Sequence, residues 1–263
     1  METHRNADGV SPFATCVNSH EVLRHNLLRS PDVAALGVRT YENQRSAAAA
    51  YNDALAKAAA DTRYTVFVHQ DVYLPGGWLA RLEETVDLLS SRDPSWGVLG
   101  CYGVTASGEH VGHVYSNGLG VLGKSFGQPI RVRTLDEIVL VVRSLPGLRF
   151  TANHPGFHMY GADICLRAEQ LGLHCYAIDN YFVHNARYDY ALPLAFYQGY
   201  RAVIRHFPGA LPVTTTCATV PSHRGWPIPI RLLYYELARR AGRLRVAERL
   251  ADPVSAAEAL CVD

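Results

Sequence analysis

Across 263 residues, 25 basic and 24 acidic side chains nearly cancel to a net charge of +1, so no global field draws the chain to nucleic acid or to an anionic membrane. The length suits one compact α/β domain with a sizeable core and a C-terminal appendage. Lys57 and Lys124 are the only lysines, a skew toward Arg and Ala that reflects base composition before any special use of guanidinium groups.

The opening METHRNADGVSPF has no apolar leader core, and no uncharged run of about 18 apolar residues occurs anywhere, which together predict a cytoplasmic protein. Pro12 to Val17 is a short apolar run closed by Asn18-Ser19-His20, and a helical pattern through Leu23, Leu27 and Leu28 follows. Val33 to Tyr41 is expected to supply a second strand, and Ser46 to cap an Ala-rich helix carrying Tyr51, Leu55 and Ala59. Tyr64 to Val68 reads as a buried strand from its β-branched and aromatic content and stops at His69-Gln70-Asp71. Pro75-Gly76-Gly77 turns the chain into a helix over Trp78 to Leu89. Strands are then predicted over Trp96 to Val104, Leu135 to Arg143 and Cys175 to Val183, with a glycine-rich irregular or hairpin stretch over Gly108 to Gly127. His154 to Tyr160 reads as a loop and Asp163 to Leu171 as a helix. The alternation predicts a mainly parallel sheet covered on both faces, in a catalytic core over 1–187 with an aromatic, Arg-rich extension over 188–263. Cys16, Cys101, Cys165, Cys175, Cys217 and Cys261 are scattered without a C-x-x-C pair, so reduced thiols are expected.

In open α/β sheets ligands gather outside the carboxyl ends of the strands, which gives weight to polar residues just after apolar runs. Asp71, directly after Val66-Phe67-Val68, has the chemistry to hold Mg²⁺ or Mn²⁺ against a diphosphate; the plainer alternative is a cap on the next turn. His184, directly after Tyr181-Phe182-Val183, offers a second ligand if the two strands are neighbours, and otherwise is a hydrogen-bonded strand-end imidazole. Asp163 sits at a helix start, where the macrodipole favours an ionised carboxylate able to accept a proton, or simply a helix-terminal charge.

These segments resemble a known family. FVHQDVYLPGGW (Phe67 to Trp78), GFHMYGADICLRAEQLGL (Gly156 to Leu173), YFVHNA (Tyr181 to Ala186) and SAAAAYNDALAKA (Ser46 to Ala58) are similar to stretches of the streptomycin-biosynthesis glycosyltransferase-like family, a relative of family 2 glycosyltransferases. The resemblance runs in consistent order from Phe13 to Ala186. It implies a GT-A fold, a nucleotide-sugar donor, a divalent cation (Mn²⁺ or Mg²⁺) and inverting transfer to an acceptor hydroxyl. Asp71 then takes the second position of the metal-binding Asp-x-Asp motif, with His69 in place of the first. The usual Glu-Asp pair before the acceptor helix is replaced by Gly161-Ala162-Asp163, so Asp163 inherits the role of base. The nucleotide is expected across the ends of the first strands near Thr15 to Asn18 and Asn52, with Gln70 bonding ribose or phosphate; Asp136, ahead of the IVLVV run, is a weaker candidate for acceptor contact, and His158 and Tyr160, close in sequence to the expected base, suit orientation of the acceptor. Glu42-Asn43-Gln44 stands where family 2 enzymes carry an Asp-Asp-Gly-Ser segment, so nucleobase contacts do not transfer.

Two other classes compete. Nucleotidyl transfer shares the nucleotide and Mg²⁺ chemistry but usually shows a Gly-rich loop after the first strand, and VNSHEVLRH offers none. A nucleotide-binding scaffold without turnover is the non-enzymatic reading. The twelve histidines form no H-E-x-x-H or H-x-H cluster, which argues against a metallohydrolase. The tail from Pro227 to Leu250 is amphipathic and Arg-rich, suited to docking on the domain, on a second subunit as a homodimer, or on anionic lipid.

Overall fold

The computed structural model describes residues 11–58, 61–188, 191–222 and 227–260. The expectations for the first ten residues and for Cys261 lie outside these. In chain order the first half comprises β1 (Phe13–Val17), α1 (His20–His25), α2 (Pro31–Leu36), β2 (Arg39–Glu42), α3 (Ala47–Ala56), β3 (Tyr64–Val68), β4 (Val72–Tyr73), α4 (Trp78–Arg92), β5 (Trp96–Gly100), β6 (Tyr102–Val104), β7 (His110–Ser116) and β8 (Gly120–Gly123). The second half comprises β9 (Ile130–Val132), β10 (Thr134–Leu135), β11 (Val139–Arg143), α5 (Tyr160–Gln170), β12 (His174–Ala177), β13 (Val183–His184), α6 (Phe196–His206), β14 (Val213–Thr214), β15 (Thr219–Val220), α7 (Pro227–Arg240) and α8 (Pro253–Leu260).

Local chemistry sets several boundaries. The Ser46 hydroxyl accepts the Ala49 N–H at 3.2 Å and starts α3 as expected. The second strand is shorter than predicted. Pro31 opens a helix that takes in Val33, and Gly37 ends that helix at φ 76°, so the strand begins only at Arg39. Three other long strand predictions divide. Trp96–Val104 breaks at Cys101, Leu135–Arg143 breaks at Asp136–Ile138, and Cys175–Val183 breaks after Ala177, because each run serves two sheets in turn. Helix α5 starts at Tyr160, three residues before Asp163.

The larger sheet has the order β2-β1-β3-β11-β5-β12-β9. Its inner pairings make β2, β1, β3, β5 and β12 run one way, with β11 and β9 opposed. Strands β3 and β11 are buried on both faces. Val66, Val68, Val139 and Val141 pack toward Trp78, Leu82 and Val86 of α4, while Phe67, Leu140 and Val142 pack toward Tyr51 of α3 and Ile164 of α5. This period-two partition explains the near-continuous apolar sequences of both strands. A second sheet, β10-β6-β7-β13-β4 with β8 on β7, carries the glycine-rich hairpin. Beyond β13, Phe196, Tyr200, Val203, Phe207 and Leu232 of the extension join Met159, Ala162 and Leu166 around α5 in one buried cluster. Cys16, Cys101, Cys165, Cys175 and Cys217 are free thiols.

Candidate active site at the strand ends

Register brings the two strand-end motifs together. Val72 of β4 pairs with His184 of β13, and the Asn185 N–H donates to the Asp71 carbonyl at 2.8 Å. Asp71 Oδ1 therefore lies 3.6 Å from His184 Nε2, with the two side chains only 16% and 14% exposed. His69 completes the group. The candidate ligand atoms of His69, Asp71 and His184 all lie within 4.8 Å of one another.

Hydrogen bonding fixes one tautomer. The Tyr160 hydroxyl donates its single proton to the Glu137 carbonyl at 2.8 Å, so its 2.7 Å contact with His69 Nε2 makes that nitrogen the donor. His69 Nδ1 is left with its lone pair free for a cation, an outer contact of the kind that orients metal-bound imidazoles. Burial alone would raise the Asp71 carboxyl, but the His184 and His69 imidazoles draw it well below the usual carboxylate range. Burial lowers His69, whereas at His184 the facing Asp71 outweighs burial and raises it.

Gln70 and Asn18 also meet. Gln70 Oε1 accepts the N–H groups of Asn18 and Ser19, both at 3.1 Å, and its amide nitrogen donates to Asn18 Oδ1. The pair forms a polar lip joining the ends of β1 and β3. Thr15 and Asn52 are placed otherwise. Thr15 is wholly buried within β1, and both ends of the Asn52 amide are spent on the Phe150 backbone, at 2.8 and 2.9 Å. Neither faces a ligand in this conformation, because the sheet and the aromatic cluster beneath it consume them.

Asp163 is brought near the other predicted residues but beneath the surface. It is 0% exposed, its Oδ2 accepts the Thr151 N–H at 2.8 Å, and its Oδ1 lies 3.3 Å from His154 Nδ1. A carboxylate so enclosed has no contact with an incoming hydroxyl. Asp136 is likewise committed, accepting from the Ile138 N–H and the Thr216 hydroxyl, and burial together with neighbouring Glu137 raises its carboxyl. Tyr160 is buried and holds the His69 ring and the Glu137 backbone, so its role is support.

A more exposed carboxylate nearby is that of Glu137, which the sequence did not single out. Its side chain is 22% exposed and lies 3.7 Å from His158 Nδ1, itself 32% exposed. Helix α5 packs closely on the turn that carries Glu137. A Cβ built on Gly161 would meet the Leu135 carbonyl at 2.6 Å and the Glu137 Cβ at 3.2 Å. The sequence held one faint signal, the adjacency Asp136-Glu137 ahead of an apolar strand, which reads equally as a solvated strand end.

Residues 12–180 match the family model described as glycosyltransferase like family. The protein described as "ATP synthase subunits region ORF 6" from Fuscovulum blasticum is 37% identical over 134 residues, covering 48% of this chain and 52% of that protein. The chain therefore spans about half the length of this curated relative. Among solved structures, a mannosyltransferase from Pyrobaculum calidifontis in complex with GDP-Man and Mn²⁺ is similar at TM-score 0.43 and 13% identity, covering 95% of this chain and 75% of that one. S. aureus TarS 1–349 in complex with UDP-GlcNAc is similar at TM-score 0.47 and 14% identity, covering 73% and 65%.

Proposed function

The chain belongs to the glycosyltransferase-like family, and from that premise and the strand-end geometry we infer that it moves a sugar from a nucleotide-diphosphate donor to an acceptor hydroxyl. The observation that carries this reading is the convergence of His69, Asp71 and His184 at the strand ends, with the Glu137 backbone tied to His69 through the Tyr160 hydroxyl.

His69, Asp71 and His184 offer two imidazole nitrogens and an ionised carboxylate oxygen. That set fits a divalent cation, and its nitrogen content favours Mn²⁺ over Mg²⁺, which prefers oxygen and water. A bound cation neutralises charge on a departing diphosphate. The chain's own residues do the rest. Gln70 and Asn18 present the polar lip on which the nucleoside rests. Glu137 accepts the proton of the attacking hydroxyl as the new oxygen–carbon bond forms, while the anomeric carbon–oxygen bond breaks and its electron pair leaves on the diphosphate. Attack from the face opposite the leaving group inverts the anomeric centre. His158 orients the acceptor beside Glu137.

Calorimetric titration with UDP-, GDP-, dTDP- and CDP-sugars, with and without Mn²⁺, tests the reading. Wild type is expected to bind one of them in a metal-dependent way, and Asp71→Asn to lose that dependence while staying folded. Unchanged metal-dependent affinity in Asp71→Asn would remove this cluster from the site and return Asp71 to a capping role.

A further inference from the structure

We propose that His154, Asp163 and His206 form a second divalent-cation site, of the zinc class, that clamps the C-terminal extension to the catalytic core. The three side chains come from the 151–158 loop, the first turn of α5 and the last turn of α6, and none belongs to the His69 cluster. Their candidate ligand atoms lie within 4.8 Å of one another. His154 and Asp163 are 1% and 0% exposed.

Three converging atoms lack a partner. Among the described residues, His154 Nδ1, Asp163 Oδ1 and His206 Nδ1 are buried and make no hydrogen bond. Such orphans are rare in folded proteins, and each is costly. The His154 tautomer sharpens the point. Its Nε2 lies 2.8 Å from the His158 carbonyl, which only accepts, so Nε2 carries a proton. For a neutral ring, Nδ1 then presents a lone pair toward a carboxylate 3.3 Å away. Two acceptors face each other, and a cation between them resolves the conflict. A doubly protonated His154, the state that the facing Asp163 favours, would pair with that carboxylate and still leave His206 Nδ1 unmatched.

The ligand set is two imidazoles and one carboxylate, a common zinc-binding combination that leaves one position for water. Its outer contacts are of the expected kind: the His158 carbonyl on His154, and the Thr151 N–H on Asp163 Oδ2. His206 Nε2 accepts weakly from Arg205 Nε at 3.4 Å. Coordination through Nδ1 puts a proton on Nε2, so Arg205 turns away when the ion binds. Close approach of α6 makes the geometry available, since a Cβ on Gly199 would meet the His158 carbonyl at 2.3 Å. The ion would thereby also hold His158 where it faces Glu137.

The test uses the full chain, stripped with chelator, reloaded with Zn²⁺, desalted and analysed for metal per protein. Wild type is expected to retain two ions, and Asp71→Asn one. His206→Ala, at a half-buried helix end, is expected to retain one, and the Asp71→Asn/His206→Ala double variant none. Zn²⁺ should raise the thermal midpoint of Asp71→Asn but not that of the double variant. The proposal is overturned if Asp71→Asn retains no ion, or if His206→Ala holds as many as wild type. Loss of the ion in Asp71→Asn alone would leave the donor-site reading intact, so the two failures are distinguishable.

Discussion

At the scale of single residues, the assignment of the base separates two carboxylates by their surroundings. Glu137→Gln keeps the shape and removes the basic oxygen, so transfer is expected to fall about 10²-fold or more with donor affinity little changed. Asp163→Asn should act on the fold instead. Replacing the wholly buried carboxylate that accepts the Thr151 N–H and faces His154 is expected to cost about 1–3 kcal/mol in denaturant unfolding. If Asp163→Asn stays as stable as wild type and loses transfer selectively, the base is Asp163 after all. Asp71 and His184 could be singled out in the sequence because the apolar runs Val66–Val68 and Tyr181–Val183 lie just ahead of them, and strand ends gather ligands. Glu137 was not, since nothing in one sequence reveals that Gly161 packs against it. Thr15 is buried within β1 and the Asn52 amide is spent on the Phe150 backbone, partners that local sequence does not reveal.

Among the elements, two carboxylates tie strand ends to their neighbours. Asp93 Oδ2 accepts from His174 Nδ1 at 2.6 Å and the Tyr176 hydroxyl at 2.7 Å, fixing the end of α4 to β12. Asp179 Oδ2 accepts the Ser125 hydroxyl at 2.6 Å and the N–H groups of Phe126 and Gly127 at 2.7 Å, holding down the irregular segment that leaves the glycine-rich hairpin. In both, burial would raise the carboxyl, but these hydrogen bonds pull it below its ordinary value. A carboxyl lowered on folding binds fewer protons in the folded state. Its stabilisation is therefore present above the unfolded value, about 3.9, and is lost as pH falls through the lower folded value. Asp179→Asn is expected to lower stability by about 1.5–3 kcal/mol at pH 7 and to flatten the decline of unfolding free energy toward acid pH. An unchanged acid limb would exclude Asp179 from it. Helix starts such as Ser46 were readable because capping is local. The splitting of three strands between two sheets was not, because an apolar run looks the same whichever sheet it joins.

Over the whole molecule, the extension beyond residue 187 is knitted into the core. Asn185 Nδ2 donates to Asn26 Oδ1 and to the Leu250 carbonyl, Asn117 Nδ2 donates to the Glu248 carbonyl, and Arg133 donates to the Pro212 and Ala210 carbonyls. Chain termination after residue 187 would bare Met159, Ala162 and Leu166 and strand these polar groups. The fragment is expected to aggregate or to show no cooperative thermal transition; a soluble fragment melting like the full chain would establish 1–187 as autonomous. No helix among the described residues is long and apolar enough to cross a membrane. Helix α7 nevertheless presents Ile230, Leu233, Tyr234 and Leu237 along one face, each more than half exposed, with Arg231 and Arg240 nearby. Vesicles containing phosphatidylserine are expected to co-sediment the protein in a salt-sensitive manner, and Leu233→Glu/Leu237→Glu to stay in the supernatant. Equal partition of both proteins would leave that face to a second copy of the chain.

The close contact at Gly161 has a consequence for substitution. A side chain there would strike the Leu135 carbonyl at 2.6 Å and come within 3.2 Å of the Glu137 Cβ, and the nearer atom is backbone that no change at 137 removes. Gly161→Asp in this chain should therefore misfold, and pairing it with Glu137→Gly should not recover soluble protein; recovery would show that the backbone at Leu135 gives way.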